Sequence, residues 1–253
     1  MFINMKPKFY KTKKFSNKEM NMFSNIKIID LALYLAKYKT LIIADSHIGF
    51  EEALNKQGIF IPRLQFKKQI QRLEKILSKI KPDTIIINGD IKHEFGKLSD
   101  QEWRYTLRMI DFLSKYCKNL FLIKGNHDKS LGPIAEKRNI QITDQIIINN
   151  ILITHGNKLL KIPKNIKTII IGHEHPAIGI REGARIETFK CFLKGKYKKF
   201  NLIVQPSFNL VTQGTDITKE KLISPFLKQD LSNFNVYIVA DKIYDFKKLK
   251  NYL

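Results

Sequence analysis

Thr40-Leu41-Ile42-Ile43-Ala44-Asp45-Ser46-His47 sets the reading of the whole chain. A short run of β-branched and aliphatic residues fits a buried strand. This one ends on a carboxylate and an imidazole two residues apart, a spacing that lets both side chains point the same way on extended backbone. The pattern then returns. Thr84-Ile85-Ile86-Ile87 leads into Asn88-Gly89-Asp90, with His93 three residues on. Leu120-Phe121-Leu122-Ile123 leads into Gly125-Asn126-His127-Asp128. Ile151-Leu152-Ile153 leads into Thr154-His155-Gly156, and Thr168-Ile169-Ile170-Ile171 into Gly172-His173-Glu174-His175. All six histidines fall in these clusters, whereas histidines used for packing would be scattered. In open α/β sheets ligands bind beyond the carboxyl ends of the strands. Imidazole, carboxylate and carboxamide gathered there read as a metal site.

Working outward, residues 62–81 read as a helix. Pro62 suits its first turn, and Leu64, Ile70, Leu73, Ile76, Leu77 and Ile80 form one apolar face. Ser99 with Glu102 makes a capping-box pair for a second helix running to about Cys117. Residues 32–35 and 40–44 read as a hairpin turning at Lys37-Tyr38-Lys39. Strand and helix thus alternate in the first half, as in a mostly parallel sheet. From Ile140 onward the pattern changes to short strands at 146–149, 151–154, 168–171, 188–194, 200–204 and 236–240. The expectation is an α/β fold of two mixed sheets with helices on their outer faces. No internal repeat, linker or low-complexity block interrupts it. Residues 1–24 read as a basic extension and 25–253 as one domain, a length that buries a substantial core.

Composition narrows the classes. The hydrophobic fraction is 43%, ordinary for a globular protein. No apolar run approaches the ~18 residues of a membrane helix, and the amino end lacks the apolar core of a secretory signal. Cys117 and Cys191 have no metal or redox spacing and read as free thiols of a reducing compartment. These features predict a cytoplasmic protein with no membrane partner. The net charge of +22 fits a polyanion partner. A genome-wide or thermal preference for lysine would give the same excess, and only seven arginines are present for phosphate forks. In the extension, Lys6, Lys8, Lys11, Lys13, Lys14 and Lys18 interleave with Phe9, Tyr10 and Phe15. Such a segment is either a solvated end or a grip on single-stranded nucleic acid. Residues 190–199 read as a basic hairpin turning at Gly195, facing a nucleic-acid backbone or guarding an edge strand.

Asp45, His47, Asp90, Asn126, His155, His173 and His175 exceed what one ion needs. Asp90 can bridge two cations through its two oxygens. The set suits two ions about 3.5–4 Å apart, as in two-metal hydrolases. Two divalent cations against two aspartates and a bridging hydroxide leave the site net positive, ready for a phosphoryl anion. Coordination also makes hydroxide available near neutral pH.

The ordered motifs D-x-H, G-D, G-N-H-D, H and G-H-x-H, spanning residues 45–175, resemble those of the calcineurin-like metallophosphoesterases. The stretches IADSHIGFEEAL, GIFIPR, NGDIKHEFG and GHEHPAIG are similar to archaeal metallophosphoesterases related to the SbcD nuclease subunit. The resemblance implies a four-layer α/β/β/α sandwich with a dinuclear centre. It implies that Asp45, His47, Asp90 and His175 hold one metal and that Asp90, Asn126, His155 and His173 hold the other. His127 would then contact the phosphate and assist the leaving group, beside Asn126, while Asp128 orients their loop. His93 matches a histidine that lies near substrate in the repair-nuclease branch. Arg63, at the expected helix start, is a further candidate phosphate contact, and Glu174 a supporting residue pointing away from its histidine neighbours.

Manganese is the expected metal, with iron, zinc or nickel also suited to mixed N/O ligands. The implied function is hydrolysis of phosphodiesters by metal-activated hydroxide, with DNA or RNA as substrate. The alternatives are a phosphomonoesterase or small-nucleotide phosphodiesterase with the same centre, and an inactive scaffold, which the retained ligand set argues against. Residues 176–253 are few for the long carboxyl-terminal region by which nuclease subunits dock an ATPase, which puts such a partner in doubt. The sequence leaves the oligomeric state open.

Overall fold

The computed structural model describes residues 16–17, 19–23, 25–96 and 98–252. The chain starts with β1 (Ser16–Asn17), β2 (Glu19–Phe23), β3 (Ile26–Ile29) and β4 (Ala32–Leu35). It then turns at residues 36–39 into β5 (Thr40–Ile43), where Lys39 takes a left-handed φ of 43° to close the hairpin. Next come α1 (Phe50–Lys56), α2 (Gln65–Leu77), β6 (Thr84–Asn88), α3 (Asp100–Ser114), β7 (Asn119–Ile123), α4 (Gly132–Lys137) and β8 (Ile142–Thr143). Strands β2 to β8 form one sheet in sequence order. Its first four strands are antiparallel and joined by short turns. From β5 to β8 the pairing is parallel, because a helix-containing connection must carry the chain back to the same end. The sheet begins inside the stretch 1–24: Glu19–Phe23 pairs with β3. Residues 1–15 and Lys18, which hold the interleaved lysines and aromatics, lie outside the described residues.

The second half supplies β9 (Gln145–Ile148), β10 (Ile151–Thr154), β11 (Thr168–Ile171), β12 (Pro176–Glu182), β13 (Arg185–Tyr197), β14 (Phe200–Val204), β15 (Thr215–Asp216), β16 (Asn235–Val239) and β17 (Ile243–Lys248). These and β1 form the second sheet, in which β10, β11 and β14 run parallel. Its strands alternate between two cores, as the period of two demands. Ile153, Ile170, Phe192, Ile203 and Tyr237 pack with the first sheet, whose other face packs on helix residues Leu73, Ile76, Leu107 and Ile110. Leu152, Ile169, Ile171, Leu193, Leu202 and Val236 pack outward against Phe226, Leu227, Leu231 and Phe234. Each such buried side chain contributes about 1.5–3 kcal/mol. The two sheets therefore stack as a sandwich. Among the described residues, helices α1 to α4 all belong to the first half, and the outer cover of the second sheet is the loop carrying Phe226–Phe234.

Several boundaries differ from the sequence expectations. Helix α2 starts at Gln65, so Pro62 and Arg63 lie in the preceding loop, and Leu64 is exposed. Gln65 and Gln69 take the inner positions, fully buried. The capping box at Ser99 and Glu102 forms as expected, a device that stabilises a helix by about 1 kcal/mol. Gly195 does not turn a hairpin. It sits within β13, where a side chain would collide with the Phe234 ring, and the turn falls after Tyr197. Strand β13 lies between β14 and β16, so it is not an exposed edge. Lys190 is buried with its ammonium on Ser207 Oγ at 2.7 Å, and Lys194 donates to the Met22 carbonyl, leaving Lys196, Lys198 and Lys199 exposed. No helix among the described residues is long and apolar enough to cross a membrane.

Candidate metal centre

The five strand ends expected to carry chemistry converge. Asp45 and His47 follow β5, Asp90 and His93 follow β6, and Asn126 to Asp128 follow β7, all at the carboxyl ends of parallel strands. His155 follows β10, and His173 and His175 follow β11, from the parallel part of the other sheet. The contacts divide into two sets. In one, His175 Nε2 stands 3.3 Å from His47 Nε2 and 3.4 Å from Asp45 Oδ1. In the other, His155 Nε2 stands 3.2 Å from Asp90 Oδ2, 3.0 Å from Asn126 Oδ1 and 3.2 Å from His173 Nδ1. Asp90 Oδ2 also lies 3.9 Å from His47 Nε2, so one carboxylate sits between the sets.

These spacings test whether ions would fit. Bonds of 2.0–2.2 Å place two ligands of one ion about 2.8–3.6 Å apart, and the five separations given within the two sets fall in that span, with Asp90 to His47 slightly beyond it. Asp45 Oδ1 is buried without a hydrogen-bond donor, the state of a carboxylate oxygen that faces a cation. Asp45, His47 and His175 form one cluster of candidate ligands, and Asp90, His155 and His173 form a second. His47, His93 and His127 form a third grouping that the sequence did not foreshadow. Arg63 is exposed in the loop before α2, and among the described residues no contact of it with these clusters is seen.

The backbone is bent to make this arrangement. Asp45, His47, Asp90, His173 and His175 all adopt left-handed φ, between 44° and 64°. Non-glycine residues in that region are strained, and such strain gathers at functional sites. Around them sit glycines whose missing Cβ makes room. A side chain at Gly89 (φ +82°) would strike the His155 ring, and one at Gly125 would strike Asp90 Oδ1. The turns are held by groups outside the motifs. Gln65 Nε2 donates to the carbonyls of Ser46 and His47, and Gln69 Nε2 donates to those of Ser46 and Phe208. Phe208 N and Asn209 N donate to the carbonyls of Ala44 and Asp45, docking residues 205–209, the segment that follows β14, on the first sheet. His173 N donates to Asp45 Oδ2, and the Ser224 and Ile223 amides donate to the buried Glu174 carboxylate. Glu174 thus supports its neighbours from behind.

Electrostatics separates the rings by role. Burial pushes His93 and His173 down to about 4 and His47 well below its ordinary value, with neighbouring imidazoles adding to the effect. These rings are neutral at pH 7, the form that offers a lone pair. Burial also works against a charged His155, but its hydrogen bond to Asp90 and the charge of Asp45 outweigh it and raise it to about 9. Burial opposes ionisation of Asp90 too, yet the same hydrogen bond holds it below the ordinary carboxylate range. An ion bound there would displace the His155 proton. Asp128 is buried, accepts from Gly125 N at 2.9 Å, and is pushed up to about 7 by burial and by Asp90. His127 donates from Nδ1 to the His93 carbonyl and turns Nε2 inward, 3.9 Å from Asp90 Oδ2. His93 Nδ1 reaches His47 Nδ1 at 3.4 Å.

Sequence reasoning missed Gln65, Gln69 and the 205–209 segment; it gave Glu102 only its capping role and Lys190 only a place in a basic hairpin. The glutamines were detectable as polar residues one helical turn apart on the same stripe as Leu73 and Ile76.

Comparison with known proteins agrees with this geometry. No curated protein matches the chain in sequence. Among solved structures, the nuclease MPE of Pseudomonas putida superposes with a TM-score of 0.64 at 19% identity, covering 87% of this chain and 94% of that one. The phosphoesterase Yfce of E. coli overlaps more loosely, with a TM-score of 0.40 at 12% identity over 80% and 88% of the two chains. The first likeness supports the fold; the second is too loose to add to it. The sequence profile of the calcineurin-like phosphoesterases matches residues 38–177, more than half of the chain and every strand end described above. The chain belongs to the calcineurin-like phosphoesterase family.

Proposed function

We propose that this phosphoester hydrolase is a phosphodiesterase acting on nucleic acid. Asp45, His47, Asp90 and His175 hold one divalent ion, and Asp90, Asn126, His155 and His173 hold the other. The observation that carries the dinuclear reading is the position of Asp90, whose Oδ2 lies 3.2 Å from His155 and 3.9 Å from His47. Manganese is the proposed metal, with iron, zinc or nickel as substitutes. When bound, the two ions would supply a water-derived nucleophile at neutral pH and neutralise phosphate charge.

The chain's own residues do the rest. His127 is aimed by its bond to the His93 carbonyl, so its Nδ1 keeps a proton and Nε2 faces the substrate. From Nε2 it delivers a proton to the leaving oxygen or stabilises the charge that develops there. Asp128 keeps this loop closed through Gly125 N. His93, between His47 and His127, lines the substrate side, and Asn126 directs its amide to the phosphate as well as to the metal. Arg63 contacts substrate only if its exposed loop folds inward.

The diester preference is supported by His93, by the net charge of +22 and by the shared fold with a nuclease. Exposed Lys196, Lys198 and Lys199, with the lysines of residues 1–24, would supply salt-dependent affinity for a polyanion. The test is a panel of a chromogenic phosphodiester, the matching monoester, and labelled DNA and RNA, run with several divalent ions. An activated diester should be cleaved faster than the monoester, and nucleic-acid binding should weaken with salt. Efficient monoester hydrolysis with neither diester cleavage nor salt-sensitive binding would assign a phosphatase instead.

A further inference from the structure

We infer that Phe95 is a stacking platform for the nucleobase next to the scissile phosphate; this rests on the phosphodiesterase reading above. Phe95 is 54% exposed, although a large aromatic side chain gains by burial. It is not an isolated surface ring. Its centroid lies 3.7 Å from that of His127, with 30° between the planes. His127 in turn lies 5.5 Å and 28° from His93, and His93 lies 4.2 Å and 35° from the half-buried Phe50. Four rings therefore form a ladder that rises from the interior past the metal centre and ends on the open face of Phe95. A fifth flat ring would continue it.

The loop that carries Phe95 is clamped on both sides. The buried Glu102 carboxylate accepts the backbone amides of His93 and Glu94 at 3.1 and 2.7 Å. Lys92, fully buried, spends its ammonium on the Glu94 carbonyl. His127 Nδ1 donates to the His93 carbonyl, and Ser130 Oγ to the Gly96 carbonyl at 2.9 Å. A buried lysine and a buried glutamate are costly devices for an ordinary surface loop. They make sense if they hold an exposed ring in a fixed orientation. That ring stands beside the histidine that serves the leaving oxygen, where a nucleotide substrate presents the base of its leaving nucleoside. Every base has a π face, so the platform favours nucleic acid over simple diesters without reading sequence.

The experiment pairs wild type and Phe95→Leu with a short single-stranded oligonucleotide, and with versions made abasic on one or the other side of the cleaved bond. Base stacking on an aromatic platform changes affinity by about 5- to 150-fold. Phe95→Leu should weaken kcat/KM for the normal oligonucleotide within that range, Phe95→Trp should restore it, and one abasic substrate should bring Phe95→Leu and wild type together. A 2-aminopurine at that position should be quenched on binding wild type and not Phe95→Leu. Equal cleavage of the normal oligonucleotide by both proteins overturns the platform alone. An equal loss on all substrates also overturns it, since Phe95 would then act only through His127. If wild type cleaves a chromogenic diester but no oligonucleotide, the nucleic-acid reading falls and takes the platform with it.

Discussion

The two sheets meet at one centre but bring different chemistry and different scaffolding. The first contributes both aspartates, Asn126, His47 and the pair His93 and His127; the second contributes only imidazoles. In the first sheet the site loops open into helical connections, and α2 and α3 return buried polar side chains, Gln65, Gln69 and Glu102, to hold them. In the second sheet β10 and β11 are joined without a helix, and His173 and His175 are held from behind by Glu174 and by Asp45. Carboxylates crowded together repel one another, so they need the firmer frame.

The largest expected effect separates a shared ligand from an unshared one. Asp90→Ala should reduce phosphoester hydrolysis to background and lower the metal content at both positions, whereas His173→Ala should empty one. Retention of two ions per chain in metal-saturated Asp90→Ala would show that Asp90 does not bridge. His127→Ala comes next. A positioned acid contributes ~10²–10⁴-fold, so the rate should fall by about that factor while both ions stay. Loss of an ion in this variant would make His127 a ligand.

A third prediction probes the frame of the second sheet through pH. Burial, helped by the charge of Arg72, lowers Lys190 to about 7, whereas an unfolded lysine titrates near 10.4. Between those values the unfolded chain binds the extra proton, so stability should rise with pH from about 7 to 10. Below 7 the full penalty of a few kcal/mol applies. Chemical denaturation of wild type against Lys190→Met should show this slope only in wild type, and parallel pH curves would refute the assignment. The smallest effect concerns the first sheet. Gln69→Leu removes the donor to the Phe208 carbonyl and one of the two donors to the Ser46 carbonyl, which Gln65 still serves, and should cost about 1–3 kcal/mol. It should also weaken metal affinity, because the turn at Asp45 and His47 loses a brace. Unchanged melting temperature and unchanged metal titration would relegate Gln69 to packing.

The elements readable in advance were those governed by local rules. The buried runs at 40–43, 84–88, 151–154 and 168–171 declared themselves by composition, and Ser99 with Glu102 by capping chemistry. Their carboxyl ends identified the clustered side chains, because parallel strands of one layer must present those ends together. What stayed hidden depended on distant partners. The left-handed turns at five polar residues carry no sequence mark, since the usual signal for such backbone is glycine. Lys190 looked like a surface cation until its residue paired with Ala177 of β12 and its side chain met Ser207. Gly195 looked like a turn because its contact with Phe234 joins residues far apart in the chain. The 205–209 segment looks like loop, yet its role is to latch one sheet to the other.

That latch is not the only fastening between the sheets. His47 and His175 face each other across 128 positions of sequence, about half the chain. An ion held by both is a non-covalent cross-link that closes a very long loop, and closing such a loop removes freedom mainly from the disordered chain. The catalytic ions would then also act as rivets, and a chelator would lower melting temperature together with turnover.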